Sequence, residues 1–343
     1  MNRIRALLRW YDRERRDLPW RRTRDPYAIW VSEVMLQQTR VETVEPYYRR
    51  FLERYPDVSS LATASVEEVL AVWSGLGYYR RARQLHKAAA QIQLGGDFPK
   101  TMEELQKLPG IGPYTAAAIS SIAFDVPVAV LDGNVERVIS RQQTLDGPLR
   151  SAAGKRALLA AAQTWIDPKR PGDSNQALME LGATLCSPRA PRCPSCPVAS
   201  TCGALARGQV ERFPQRDGRK APVRMRLAAV VVKRRRRVLL FRRSEESDLL
   251  AGLWEPPVVS LDADEEMSAD LRRRYGGRWH LDESYGAFRH AVTNKLLEVD
   301  VRGGRVRFTG TIADRTEAGW FLPEEIDELP TSGLVSKALR SRG

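Results

Sequence analysis

The sequence predicts a two-domain protein that is mainly α-helical in its N-terminal part and α+β in its C-terminal part. Up to about residue 203, apolar residues recur at helical spacing, whereas beyond residue 226 short apolar segments alternate with polar residues as β-strands do. The 343 residues suffice for two such domains. We therefore predict a helical domain over 1–203, a linker over 204–226 and an α+β domain over 227–343.

Helix starts in the first domain can be read from capping patterns. Ser65 with Glu68 and Thr101 with Glu104 each form a capping box that precedes an apolar-periodic segment. Pro113 follows a glycine-rich turn and suits the first position of a helix. These three positions are predicted to begin helices.

The linker and the second domain differ from the first in composition. Gly, Pro and basic residues dominate between Ala204 and Arg226, as in a linker. Beyond it, LAAVVV and VLLF flank the run KRRRR, and YGAFRHAV and KLLEVDVR alternate like strands. The basic run could be a nuclear-import signal, but its place between two strands favours a hairpin tip. Helices are predicted near Ser268–Tyr275 and Pro323–Leu329.

All four cysteines lie in one short segment, as Cys186, Cys193, Cys196 and Cys202. Two disulfides are disfavoured, because the chain is long enough for an ordinary core and shows no secretory segment. Structural zinc is the main alternative, although zinc ribbons usually supply two C-x-x-C knuckles and only one is present. The gaps of six, two and five residues resemble the iron–sulfur loop of endonuclease III and its relatives, which favours a [4Fe-4S] cluster.

The charge balance indicates a polyanionic partner. The chain has 55 Lys and Arg against 42 Asp and Glu, a net charge of +13, so it should bind a polyanion less tightly as salt rises. Nucleic acid and an anionic membrane surface both fit this charge. Because no apolar signal core or membrane-length segment is present, we expect a cytoplasmic protein without a membrane partner.

The segment Leu108-Pro109-Gly110-Ile111-Gly112 separates two predicted helices. Its glycines allow the backbone to approach a ligand closely, and the amides of the new helix can bind an anion such as a DNA phosphate. Taken alone, this pattern is an ordinary turn. On a strongly basic chain with a cysteine loop downstream, it favours a helix-hairpin-helix over about 101–123, with Gly110 and Gly112 at the DNA backbone.

Two carboxylates are candidates for acid–base chemistry. Glu33 lies among apolar neighbours in AIWVSEVMLQQT, so desolvation should raise its pKa and let it hold a proton near neutral pH. Asp132 lies in the turn LDGN, where it could also be only a turn residue or a helix N-cap. Together, a protonated Glu33 could donate to a leaving base while an ionised Asp132 stabilises the sugar cation or bonds to it.

Several motifs resemble the MutY family, the adenine DNA glycosylases of the helix-hairpin-helix, iron–sulfur superfamily. The resemblance covers nearly the whole first domain and implies hydrolytic removal of adenine mispaired with 8-oxoguanine or guanine in double-stranded DNA, in base excision repair. The motifs are SEVMLQQT at 32–39, GLGYYRRARQLHKAA at 75–89, LPGIGPYTAAAI at 108–119, LDGNVERV at 131–138, NQALMELGA at 175–183 and the cysteine loop.

The resemblance also implies residue roles. Glu33 matches the acid that protonates adenine at N7 and helps activate water, and Asp132 matches the carboxylate that stabilises the sugar cation or forms a transient adduct. Tyr114 and Asn134 match residues that order this site. The remaining matches are Arg21 and Glu180 at the extruded adenine, Gln38 and Tyr78 as side chains that fill or wedge the duplex, Thr39 and Leu76 beside the opposing damaged guanine, and the four cysteines as cluster ligands.

Tyr114 bears on the type of reaction. Endonuclease III has a lysine at the matching position, whose amine forms a Schiff base and cuts the strand. Because this chain has tyrosine there, we predict a monofunctional enzyme that flips out the base and stops at an abasic site. The alternatives are a bifunctional glycosylase/lyase that uses another amine, and a non-catalytic iron–sulfur protein that binds DNA.

The second domain resembles, more loosely, the Nudix-like lesion-recognition domain of the same family. No R-E-x-x-E-E array follows Leu253-Trp254-Glu255-Pro256-Pro257, so we predict no nucleotide hydrolysis. Phe288-Arg289-His290 stands where many members have Phe-Ser-His, and Thr293 nearby offers a hydroxyl to 8-oxoguanine. The expected partner is double-stranded DNA with A:8-oxoG or A:G mispairs, bound by a monomer.

Overall fold

The computed structural model describes residues 3–215, 221–244, 247, 250–261, 266–292, 294–308 and 317–341. The chain forms two compact units. The first unit comprises Met1–Ala64 and Arg83–Arg219, and the second comprises Ser65–Ala82 and Lys220–Gly343. This division differs from the sequence-based boundaries, because the segment 65–82 of the predicted helical domain groups with the second unit.

Helices make up most of the chain before residue 207. Among the described residues, none of the helices has both the length and the apolarity needed to span a bilayer. In chain order they are α1 (Arg3–Glu14), α2 (Pro26–Leu36), α3 (Val41–Arg54), α4 (Val58–Thr63), α5 (Val66–Val72), α6 (Arg80–Gly95), α7 (Met102–Leu105), α8 (Pro113–Ala123), α9 (Gly133–Gln143), α10 (Ala152–Gln163), α11 (Pro171–Thr184) and α12 (Gly203–Ala206).

The three predicted helix starts are confirmed. Ser65 and Thr101 are the N-caps of α5 and α7, and each forms a complete capping box with the glutamate three residues on. Pro113 is the first residue of α8, where its missing N–H removes no helical hydrogen bond. Local sequence chemistry therefore determines where these helices begin.

The central helix of the first unit is α2. Its N-cap Asp25 accepts hydrogen bonds from the amides of Tyr27 and Ala28. Every residue from Tyr27 to Met35 is buried, so the helix is enclosed on all sides rather than on one face. Helices α3 and α8 pack against it. Any polar side chain in this helix is therefore held away from bulk water.

The second unit contains a mixed sheet. Strands follow the order β3-β2-β1-β6-β5, with β4 paired to β1 and β7 paired to β2. Strands β1 and β6 run parallel, whereas β5 and β6 are antiparallel. The strands are β1 (Val223–Arg234), β2 (Arg237–Arg242), β3 (Trp254–Glu255), β4 (Val258–Ser260), β5 (Arg278–Val292), β6 (Lys295–Arg307) and β7 (Ala318–Phe321).

Each face of this sheet carries its own core. Alternate residues of β1 point to opposite faces, so Ala229 and Val231 join one core while Val230 and Val232 join the other. The helices of this unit supply the cover: residues of α14 and α15 lie in the first core and Leu271 of α13 in the second. Their bounds are α13 (Met267–Tyr275), α14 (Pro323–Glu328) and α15 (Gly333–Arg340).

The strand and helix predictions for this unit are confirmed. The basic run forms a hairpin tip, since Arg234 pairs with Arg237 across the turn between β1 and β2. Arg235 in that turn has a positive φ of 56°, as tight hairpin turns require. Helices α13 and α14 lie where the sequence placed them.

The predicted linker over 204–226 contains more structure than its composition indicates. Ala204 and Phe213 are buried in the first unit. The Arg141 guanidinium donates a hydrogen bond to the Phe213 carbonyl at 3.0 Å. Strand β1 already begins at Val223. Two apolar residues among many basic ones are thus enough to hold the N-terminal part of this segment on the first unit.

Candidate active site

A cavity of about 690 Å³ opens in the first unit. It lies between α2, the turn before α8, the start of α9 and one face of α11. Both predicted catalytic carboxylates line it. Its polar lining includes Arg16, Arg21, Ser32, Glu33, Gln37, Gln38, Thr39, Tyr114, Thr115, Asp132, Asn134, Gln176 and Glu180.

Glu33 projects from the enclosed helix α2 and is only 5% exposed. Its Oε2 atom has no hydrogen-bond partner among the described residues. Burial raises the pKa of Glu33 to about 7, and the nearby charge of Asp132 adds to the rise, whereas Tyr114 and Arg21 oppose it. A substantial fraction of Glu33 is therefore protonated at neutral pH, as the sequence predicted.

Asp132 is the N-cap of α9. Its carboxylate accepts hydrogen bonds from the amides of Asn134 at 3.1 Å and Val135 at 2.7 Å, and from Asn134 Nδ2 at 2.9 Å. Burial raises the pKa of Asp132, while these donors and Arg137 lower it without cancelling the rise. Asp132 is therefore a helix N-cap that also lines the cavity, and three hydrogen-bond donors favour its ionised form.

Asn134 is held by a residue that the sequence interpretation missed. The Arg137 guanidinium donates to Asn134 Oδ1 at 2.8 Å, and also to the carbonyls of Gly182 and Cys186 at 2.8 and 2.7 Å. A Cβ on Gly182 would lie 2.6 Å from the Asn134 Cβ, so α9 and α11 approach this closely only with glycine there. Arg137 thus connects the Asp132 turn to the first residue of the cysteine loop.

Tyr114 faces both acids from the first turn of α8. Its hydroxyl lies 3.5 Å from Met179 Sδ. Burial raises the pKa of Tyr114 well above its ordinary value, and the negative charges of Glu33 and Asp132 raise it further. Tyr114 is therefore a neutral phenol, able to donate a hydrogen bond but unable to act as an amine nucleophile.

Glu180 is fully buried in α11, and both of its carboxylate oxygens are occupied. Arg16 donates to Oε1 from its backbone amide at 3.1 Å and from Nε at 2.8 Å, and Arg16 and Arg21 each reach Oε2 at 2.8 Å. Burial raises the pKa of Glu180, but the hydrogen bonds from these two arginines outweigh it and hold the pKa at about 2. Arg16 was missed because nothing in a run of arginines marks which one pairs 164 residues away.

The remaining predicted residues of this cavity lie at its mouth. Gln38, with a positive φ of 58°, and Thr39 follow α2. Gly110 has a φ of 78°, and a Cβ there would lie 2.7 Å from the Gln84 Cβ. Gly112 caps α8 and is exposed. A Cβ on Gly112 would meet no atom within 4 Å, so the helix terminus is open to a ligand.

Two of the predicted residues lie in the second unit. Leu76 and Tyr78 belong to the segment 65–82 of the second unit; Leu76 is buried, whereas Tyr78 is 40% exposed. Thr293 lies outside the described residues.

The four cysteines line a small void of about 20 Å³ in the loop that follows α11. None of them forms a disulfide. Arg141 Nη1 lies 3.3 Å from Cys186 Sγ. Burial, together with the charges of the neighbouring cysteines, raises the pKa of the Cys196 thiol to about 11, so a bound cation would be needed to hold it as a thiolate. Within the described residues, no three or more His, Cys, Asp or Glu side chains are grouped for a single metal ion.

Comparison with known proteins identifies the family. Residues 31–160 match the HhH-GPD superfamily of base excision DNA repair proteins, and residues 227–341 match the NUDIX domain. The structure of a thermostable thymine-DNA glycosylase shares 30% identity with a TM-score of 0.53, covering 60% of this chain and 95% of that one. This match supports the helical fold of the first unit.

Two adenine DNA glycosylases are close relatives. The Mus musculus protein is 51% identical over 224 residues, which is 61% of this chain and 44% of that protein. The chain thus spans less than half of the mouse relative's length. The Homo sapiens protein is 37% identical over 402 residues, which is 98% of this chain and 73% of that protein. At this identity and coverage, the chain belongs to the adenine DNA glycosylase family.

Proposed function

We propose that this protein is a monofunctional DNA glycosylase that removes adenine mispaired with 8-oxoguanine or guanine from double-stranded DNA by hydrolysis. One observation carries the proposal: Glu33 has a pKa of about 7 and an unpartnered carboxyl oxygen in a cavity that it shares with Asp132. Family membership supports the same activity. The two acids supply a proton and a negative charge, which are what cleavage of a base–sugar bond needs.

The first step is proton transfer to the departing base. A protonated Glu33 donates its proton to adenine N7. The base can then leave as neutral adenine rather than as an anion, which makes it a better leaving group. The Oε2 atom of Glu33 favours this role, because that oxygen has no hydrogen-bond partner among the described residues and is available to adenine. Family resemblance also assigns Glu33 the activation of water once the base has left.

The second step is stabilisation of the deoxyribose. As the bond to adenine lengthens, the sugar gains oxocarbenium character and positive charge. The Asp132 carboxylate, held by the Asn134 side chain and two amides, is fixed in orientation and can stabilise that charge or bond to it transiently. Because these donors are already in place, no reorganisation is needed during the reaction.

The groups that line the cavity support hydrolysis rather than strand cleavage. A lyase reaction needs an amine that can lose its proton and form a Schiff base. Within the described residues, the cavity lining includes no lysine. Arg16 and Arg21 carry guanidinium groups, which are not the primary amines that form Schiff bases, and Tyr114 is a neutral phenol. We therefore expect the reaction to stop at the abasic site.

Duplex binding would use charge, backbone amides and base extrusion. The net charge of +13 provides attraction to phosphates, and the open terminus of α8 at Gly112 provides amides for one of them. Adenine must leave the stack to reach Glu33, since a paired base cannot enter the cavity. Tyr78 is proposed to wedge the duplex, with Leu76 beside it and the second unit reading the opposing 8-oxoguanine.

The cysteine loop is proposed to hold a [4Fe-4S] cluster through Cys186, Cys193, Cys196 and Cys202. Four thiols around one void, with a guanidinium beside Cys186, fit a group held by anionic sulfur ligands. When bound, the cluster would cross-link the loop. Through Arg137, which contacts the Cys186 carbonyl, an ordered loop supports the position of Asn134.

The test is a glycosylase assay on duplexes with adenine opposite 8-oxoguanine, guanine or thymine at one salt concentration. We expect adenine release opposite 8-oxoguanine and guanine, with strand breaks only after alkali treatment. Breaks before alkali would instead favour the bifunctional alternative. Binding without release from any duplex would favour a non-catalytic DNA-binding protein and overturn the proposal.

A further inference from the structure

The turn from Trp73 to Arg81 in the second unit holds its exposed tyrosine in an unusual backbone conformation. Gly75, Gly77 and Tyr78 have positive φ values of 92°, 77° and 52°. Glycine adopts this region without strain, whereas tyrosine does so only at a cost in free energy. A residue kept there must be held by its surroundings. We call residues 73–81 the Tyr78 turn.

Arg81 holds the turn from one side. Its guanidinium carbon lies 5.2 Å from the ring centroid of Tyr78 and 5.6 Å from that of Trp73, within the range of cation–π attraction. Arg81 Nη2 and Trp73 Nε1 each donate to the Gly77 carbonyl at 3.1 Å. The residue thus contacts the Tyr78 ring and fixes the peptide that precedes it.

Tyr79 holds the turn from the other side. Its buried hydroxyl accepts a hydrogen bond from the Gly75 amide at 3.2 Å and donates to the Thr331 carbonyl. Thr331 itself pairs with Trp254 of β3 through a parallel bridge. The Tyr79 phenol therefore links the start of the turn to the sheet of the second unit.

We infer that Tyr79 and Arg81 are positioning residues that hold Tyr78 ready to enter the duplex beside the target base. The inference rests on the proposed function, in which Tyr78 is the wedge. A side chain that must part stacked bases is more effective when already ordered, because no binding free energy is then lost in ordering it. The positive φ of Tyr78 and the contacts on both sides of the turn fit such preorganisation.

The test uses Tyr79→Phe and Arg81→Lys, each with a matched control. Tyr275→Phe removes a buried hydroxyl of the same unit that likewise bridges an amide at 3.0 Å and a carbonyl at 3.1 Å, both of Val258. Arg50→Lys alters a guanidinium of the first unit that lies 4.6 Å from the Tyr47 ring centroid. Each change is made in the wild-type protein and in Tyr78→Ala, and single-turnover release of adenine opposite 8-oxoguanine is measured.

We expect Tyr79→Phe and Arg81→Lys each to slow release by about tenfold, the scale of one lost hydrogen bond or stacking contact. In Tyr78→Ala neither should slow it further, because both act through the Tyr78 side chain. The controls should remain within about twofold of their parents. Equal losses in both backgrounds, or equal losses from the controls, would overturn the inference.

A second measurement separates this inference from the proposed function. The fluorescence of 2-aminopurine placed next to the target adenine increases when the bases unstack. All variants are made in the Glu33→Gln protein, so that adenine is not released during the measurement. We expect Tyr79→Phe and Arg81→Lys to reduce the fluorescence rise in that parent, and Tyr275→Phe to leave it unchanged. If wild-type protein releases no adenine while this pattern persists, the proposed function fails and the positioning role stands. If unstacking is the same in all variants, the positioning role fails.

Discussion

Glu33 on α2 and Glu180 on α11 are two buried glutamates in the walls of one cavity, yet their proton affinities differ by orders of magnitude. Burial opposes ionisation of both, but the pKa of Glu33 is about 7 and that of Glu180 is about 2. Glu33 Oε2 has no partner among the described residues, whereas Glu180 accepts from Arg16 and Arg21 on both oxygens. Hydrogen-bond and ion-pair partners, and not the depth of burial, therefore decide which of these two acids keeps its proton.

The difference in pKa also suits the two glutamates to different roles. An acid that holds its proton near neutral pH can give it to a leaving group. A carboxylate committed to two guanidiniums instead fixes their positions, and Arg21 in particular lines the cavity where adenine is proposed to bind. Glu180 was predicted to contact adenine directly. The structure shows its oxygens engaged by arginines, so we propose that it acts on adenine mainly by holding Arg21.

The strongest test of the comparison is Glu33→Gln. The amide has nearly the same size but no acidic proton, so adenine release should fall by at least about a thousandfold, within the range of general acid catalysis. Binding of a mispaired duplex, measured by fluorescence anisotropy, should change little because the residue is buried. A variant that still releases adenine at a near-wild-type rate would remove Glu33 from the mechanism.

Glu180→Gln should affect stability more than chemistry. It leaves Arg16 and Arg21 without a buried counter-charge, so we expect a loss of about 3 kcal/mol in the free energy of unfolding. The folded pKa of about 2 lies below the ordinary value of 4.5, so this stabilisation is present above about pH 4.5 and disappears as pH falls through 2. Denaturant unfolding of wild type and variant should therefore diverge near neutral pH and converge in acid. A pH-independent difference would contradict the assignment.

The pH dependence of release tests the two acids together. Glu33 must be protonated, so kcat/KM should fall about tenfold per pH unit well above its pKa of about 7. Asp132 must be ionised, and because burial raises its pKa, release should also fall in acid. The result should be a bell-shaped profile for adenine opposite 8-oxoguanine. A rate that keeps rising above neutral pH would show that Glu33 does not act as the acid.

The smallest effect is expected at a surface pair of the same unit. Arg24 and Asp125 form an ion pair at 2.6 Å, but their side chains are 63% and 53% exposed. Arg24→Ala should change the free energy of unfolding by less than about 1 kcal/mol, because water and salt screen such pairs. Thermal unfolding of Arg24→Ala and Glu180→Gln, measured in parallel, would show whether burial makes the ion pairs of Glu180 more stabilising than the surface pair. Similar losses in both variants would contradict that account.

The local elements could be predicted from the sequence. Capping boxes at Ser65 and Thr101, the proline that begins α8 and the basic hairpin tip at Arg235 are set by neighbours within a few residues. Short-range backbone chemistry favours these features whatever the tertiary contacts are, so they can be predicted from neighbouring residues. The apolar surroundings of Glu33 were also legible, because its neighbours on the helix are close in sequence.

Tertiary structure alone decided the partners. Arg16 meets Glu180 across 164 residues, Arg137 joins the Asp132 turn to the cysteine loop, and Tyr79 reaches Thr331. Such pairings depend on how whole elements pack, and one arginine in a basic segment resembles the next until the fold selects it. Packing of whole elements also explains why segment 65–82 groups with the second unit, although its sequence is helical like that of the first unit. The raised pKa of Glu33 was predicted from its apolar neighbours in sequence, whereas the low pKa of Glu180 depends on two distant arginines and could be assigned only from the packed chain.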